Sequence, residues 1–169
     1  MNKQSLFFTA LVAIIATVLL LMILQYIVKK KNIQSEDEGK IKTSYVIWLS
    51  SILISFFLLL KPALEQIENA IEVIILSKTI DDTFIQVIQR IAINIGFTYF
   101  FTLMAYYTVH NVLKFSLGKR DDSIEIERNN KEYFMIKGIL LILFVFSLIT
   151  IFQHFLQWFA PSVDTIFYH

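Results

Sequence analysis

Gln86, Arg90, Asn94, Thr98, Thr102, Tyr106, His110 and Lys114 recur at four-residue spacing through a stretch, 81–117, that is apolar enough to cross a bilayer. Residues four apart on an α-helix are neighbours along one ridge, so each polar side chain reaches the next. The ridge drifts about 40° per step at 3.6 residues per turn, which keeps Arg90 to Thr102 on roughly one face. Polar groups inside a membrane segment are costly and face cavities or one another. Two chemistries are therefore open to Arg90, Asn94, Thr98, Thr102, Tyr106 and His110. One is a polar path through the bilayer. The other is an interhelical hydrogen-bond ridge, in which Thr98 and Thr102 bond their own preceding carbonyls and Asn94 reaches a serine on the preceding helix.

A second group is an outer charge cluster of Glu65, Glu68, Glu72 and Arg90. If the helices on either side of a turn near residue 79 fold back on each other, Glu68 lies level with Arg90. The pair would hold the hairpin together, and the carboxylates would draw cations towards that end. The third group is the histidines. His110 and His154 lie near opposite ends of antiparallel helices, roughly 25 to 30 Å apart at about 1.5 Å per residue, so one chain cannot ligate one haem with both.

No other residues carry a recognisable chemistry. The chain has no GxSxG, HExxH or Walker sequence and no cysteine, which excludes disulfides and thiolate metal sites. No catalytic residue, metal site or cofactor is expected, and the chain reads as a non-enzyme. The net charge of +1, with no basic face outside the loops, argues against a nucleic-acid partner.

The elements that must position these groups follow from composition. At 56% hydrophobic and 17% charged, with the charges gathered between long uncharged runs, 169 residues make a membrane protein rather than a water-soluble domain. The expected fold is all-α, a polytopic membrane protein with four transmembrane helices in an antiparallel bundle and a single domain over 1–169. The helices are expected at about 6–28, 43–60, 83–117 and 133–159, with an amphipathic extension at 63–77. The first apolar run is too long for a secretory signal and reads as an uncleaved helix. Lys61-Pro62 is expected to bend or restart the second helix. The extension with helix 3 then forms an outer amphipathic hairpin, with Asp81 or Asp82 capping helix 3. Gly118 stops helix 3, and Trp158 anchors the end of helix 4 at the interface.

Small residues mark expected packing faces: Thr9, Ala13 and Thr17; Ser51 and Ser55; Ala92 and Gly96. The connections after helices 1 and 3 carry five basic residues each, against Lys3, Lys61, Lys78 and Arg90 on the opposite side. The positive-inside rule then makes both connections cytoplasmic and puts both termini outside. Lys137, one turn into helix 4, is expected to snorkel back to that cytoplasmic surface. The expected role is a small non-catalytic accessory or structural subunit in a bacterial cytoplasmic (inner) membrane, with the lipid bilayer and further copies or other membrane subunits as partners. The alternatives are a homo-oligomeric ion channel or pore lined by helix 3, and a small membrane enzyme or electron-transfer subunit.

Overall fold

Four of the helices are long and apolar enough to cross a membrane. The structure, a computed structural model, describes residues 3–76 and 83–160. The elements run α1 (Lys3–Lys30), β1 (Glu36–Asp37), β2 (Lys40–Ile41), α2 (Thr43–Leu76), α3 (Thr83–Leu117), α4 (Asp122–Glu127) and α5 (Lys131–Gln157). The expected turn near residue 79 and the Asp81 or Asp82 cap lie outside the described residues.

One expected break is absent. α2 continues through Pro62 as a single helix of 34 residues, so the second helix and the amphipathic extension are one element. Proline costs one backbone hydrogen bond inside a helix. The apolar stripe of Ala63, Ile67, Ala70, Ile71 and Ile74, all buried, continues past the proline and favours carrying the helix on over restarting it. At 1.5 Å per residue α2 is about 51 Å long, well beyond the ~30 Å of a hydrocarbon layer. α3, with 35 residues, is equally long. It ends where expected, at Gly118, whose φ of 81° is the left-handed conformation that closes a helix.

α2 is the central element and packs against α5, α3 and α1. Phe56, Leu59, Ala63 and Ile67 on α2 are fully enclosed and belong to one core cluster with Phe134, Leu141, Val145, Phe152 and Leu156 of α5 and Ala105 of α3. Aromatic contacts fill the remaining space. Phe56 stacks on Tyr99 at 5.2 Å, Phe97 meets Phe155 edge-on at 4.6 Å, and Phe101 meets Phe152 at 5.0 Å.

α1 is attached more lightly. Its seam is Val12, Ala16, Leu20 and Leu24, with Tyr99 Oη donating to the Ala16 carbonyl at 2.5 Å. The small residues Thr9, Ala13 and Thr17 flank that seam and are half-buried. The Ala92 and Gly96 pair faces outward, and a Cβ placed on Gly96 would meet nothing within 4 Å. Its close approach to a neighbour is therefore not used within the chain.

Both connections are more ordered than loops. Residues 36–41 form a hairpin pairing Glu36 with Ile41 and Asp37 with Lys40. Its two-residue turn is Glu38-Gly39, with φ of 48° and 76°, the positive pair that tight hairpins require. The second connection folds into α4 and docks on the start of α2. Lys42 Nζ donates to the Glu127 carbonyl at 3.0 Å, and Ser44 Oγ to the Ile126 carbonyl at 3.2 Å. Asn129 Oδ1 accepts from the Ser44 amide at 3.0 Å, so a residue 85 positions away caps α2.

Candidate functional site

Lys137 is the one Lys or Arg in the α5 sequence beyond its first residue. It does not snorkel. Only 2% of it is exposed, because α4 folds over it and supplies Asp122, itself 7% exposed. Lys137 Nζ lies 2.7 and 2.6 Å from the two Asp122 oxygens. A buried ammonium keeps its charge only if paired and fully bonded, and the neighbours complete the set. Nζ reaches Tyr106 Oη at 3.1 Å and His110 Nδ1 at 3.2 Å. An ammonium has three N–H groups and no acceptor, so His110 Nδ1 accepts here and the imidazole proton sits on Nε2.

The carboxylate is equally occupied. Tyr106 donates its phenol to Asp122 Oδ2, and Tyr133 Oη donates to Oδ1 at 3.2 Å. Tyr106 Oη in turn accepts from Trp48 Nε1 at 2.8 Å. The cluster therefore joins α2 through Trp48, α3 through Tyr106 and His110, α4 through Asp122, and α5 through Tyr133 and Lys137. Its polar contacts fix four helices at the end of the molecule where the 31–42 and 118–130 connections lie.

The position of Asp122 is set locally. Asp121 caps α4, accepting from the Ser123 amide at 2.9 Å and hydroxyl at 2.5 Å. Those bonds hold the Asp121 carboxyl below its usual range. A lowered folded-state value means the cap is present above the ordinary carboxylate range and is lost as pH falls through the lowered one. Beneath, Glu125 accepts from Arg120 Nη1 at 3.3 Å and Asn130 Nδ2 at 2.5 Å, and Asn130 caps α5. A cavity of about 270 Å³ between α1, α2 and α3 ends against Tyr106, His110 and Asp122.

The six ridge residues divide. Tyr106 and His110 belong to the cluster. Asn94, Thr98 and Thr102 are buried and bond their own helix: Asn94 Nδ2 to the Arg90 carbonyl at 2.9 Å, Thr98 Oγ1 to that of Asn94 at 2.8 Å, and Thr102 Oγ1 to that of Thr98 at 2.7 Å. The expected bridge from Asn94 to a serine on α2 is not made. Asn94 Oδ1 and Ser55 Oγ are both buried without a partner among the described residues, while Ser51 Oγ turns to the Trp48 carbonyl. Because each threonine hydroxyl is satisfied within α3, Thr98→Val and Thr102→Val together should cost under about 1 kcal/mol. Thermal unfolding in detergent checks this, and a large loss would mean that the hydroxyls hold something else.

At the other end, Arg90 donates to the main-chain carbonyl of Phe159, tying α3 to the end of α5. Glu65 is exposed, and Glu68 and Glu72 are half-buried. His154 lies in the last turn of α5 beside Gln157, far from His110. Trp158 is 78% exposed. Among the described residues no three His, Cys, Asp or Glu side chains converge as a metal site would require.

Sequence reasoning found Tyr106 and His110 but missed Lys137, Asp122, Tyr133 and Trp48. One signal was present: a lone lysine in an uncharged helix calls for a buried partner, and the Lys-Arg-Asp-Asp run supplies one. By fold and site this is a helical protein with four segments able to cross a membrane and a closed charge network at one end of them. Comparison with models of protein families, with curated proteins and with solved structures finds no match.

Proposed function

We propose that this chain is a four-span integral membrane protein, an antiparallel bundle with α2 and α3 projecting beyond the bilayer, serving as a non-catalytic accessory or structural subunit. The observation that carries the reading is how the interior polar groups are spent: among the described residues the buried side-chain polar atoms other than Asn94 Oδ1 and Ser55 Oγ have partners. Thr98 and Thr102 bond carbonyls of α3 itself, and Lys137, Asp122, Tyr106, Tyr133 and Trp48 each have a hydrogen-bond partner in the cluster. A water path needs polar groups facing a cavity along the whole span, whereas the cavity at Thr102, Tyr106 and His110 stands at one end of the ridge, and a reaction centre needs a group with unspent reactivity. A fully bonded network instead fixes helix positions, which suits a part that holds others. The apolar outward faces of α1 and α5 leave ample surface for lipid or neighbouring subunits.

The orientation belongs to the same proposal. The clustered lysines support a cytoplasmic hairpin and α4 by the positive-inside rule, with the far end of α2 outside, and the membrane we propose is a bacterial inner membrane. Single cysteines test both parts. In intact cells an impermeant maleimide should label a cysteine at Asn69 and spare those at Glu36 and Arg128. Cysteines at Asn94, Thr98 and Thr102 should stay unlabelled even in opened membranes. Reactivity repeating at 94, 98 and 102 would overturn the closed interior in favour of a pore. Crosslinking in native membranes should place the chain in a larger assembly, and a chain that stays monomeric would overturn the subunit role.

A further inference from the structure

We propose that the cavity beside the charge cluster binds the head of a zwitterionic phospholipid bearing a primary amine, of the phosphoethanolamine type. It encloses about 270 Å³, about nine water volumes, which suits a phosphoethanolamine head with its glycerol rather than a whole lipid. Its deep walls are Leu24 and Ile27 of α1, Ile52 of α2 and Leu103 of α3. α1 rests mainly on α2, and Leu103 and Tyr107 stand 46% and 67% exposed on the flank of α3 that faces the gap. The cavity therefore opens sideways between α1 and α3, where an acyl chain enters from the bilayer.

The polar end selects the head. Asp122 lines it but is neutralised by Lys137. Two exposed charges remain at the rim, Lys31 and Asp121. Among the described residues Lys31 has no ion-pair partner, and Asp121 spends one oxygen on Ser123 and has the other to give. One cation and one anion complement a phosphate and an ammonium in the same head. A phosphatidylglycerol head offers Asp121 neutral hydroxyls but no cation, and a choline head has no N–H to donate to it, so the charge-assisted bond is made by the primary ammonium alone. The basic groove of Lys114, Lys119 and Arg120 on the other side of His110 attracts anionic lipid to the surface, so the phosphatidylglycerol comparison measures the competing term.

This site presupposes the membrane-spanning reading, and the two tryptophans separate the two claims. Trp48 lines the cavity and is 4% exposed, whereas Trp158 is exposed near the other end of the molecule. In Trp158→Phe protein reconstituted with lipids brominated high on the chain, contact quenching of Trp48 reports occupancy of the cavity. Half-quenching should need about three- to tenfold less phosphatidylethanolamine than phosphatidylcholine or phosphatidylglycerol. Soluble phosphoethanolamine at millimolar concentration should not relieve it. Asp121→Asn, which keeps the α4 cap, should shift the preference to phosphatidylglycerol, and Lys31→Gln should weaken quenching by phosphatidylethanolamine. Equal quenching by all three heads, none at all, relief by the soluble head, or an unchanged preference in Asp121→Asn would each overturn the site. Trp158 in Trp48→Phe protein should be quenched by every head alike; its failure would instead sink the membrane-spanning reading.

Discussion

Replacing Lys137 with methionine should lower stability by about 3–5 kcal/mol, because it leaves the Asp122 carboxylate buried without its counter-charge. Methionine fills much of the same volume, so the loss is not a cavity effect. It is the cost of a charge enclosed on all sides: Asp122 and Lys137 are 7% and 2% exposed. Two phenols still donate to the carboxylate in the variant, from Tyr106 and Tyr133, which keeps the loss finite. Adding Asp122→Asn should recover a large part of it. The amide removes the orphaned charge and keeps an acceptor for one of the two phenols. Thermal unfolding in a single detergent, read as a double-mutant cycle, measures this. If the double variant equals the sum of the two single losses, the pair is not a coupled unit and the cluster reading fails.

The parts of the fold that were legible in the sequence are those fixed by local composition. Long uncharged runs announced four long helices, and Gly118 announced the end of α3, because both signals are complete within a few turns. Pro62 misled because its local cost is outweighed by burial on both sides of it, which is a property of α5 and α3 rather than of the residues around the proline. The connections misled more. Charge density alone reads as solvated loop, but α4 is held by bonds from Lys42 and Ser44, eighty-odd residues earlier in the chain. That docking moves Asp122 from water into the interior. The two threonine bonds on the ridge were readable, since a hydroxyl four residues above a helix carbonyl finds it without outside help. The partners of Tyr106, His110 and Lys137 were not, because they depend on four helices meeting at one level.

Gly138 should not tolerate even a methyl side chain, and its substitution should propagate to the cluster. A Cβ built on Gly138 would lie 3.0 Å from Ser51 Cβ and 3.5 Å from Ser51 Oγ, with Ile47 Cγ2 at 3.9 Å. The first of these decides the outcome. A Cβ cannot rotate out of the way, so relief comes only from separating α2 and α5, which are the most extensively packed pair in the protein. Gly138→Ala should therefore cost about 1–3 kcal/mol despite the better helix propensity of alanine, and Gly138→Val at least as much. Lys137 is the adjacent residue and Trp48 lies one turn before Ser51, so parting the helices also strains the bonds that meet at Tyr106. Removing the opposing methylene should undo the damage. Ser51→Gly by itself costs about 1 kcal/mol as a helix glycine, but in the Gly138→Ala background it should raise the unfolding temperature rather than lower it further. A Gly138→Ala protein as stable as the parent, or one made still less stable by Ser51→Gly, would show that the two helices do not approach each other through this contact.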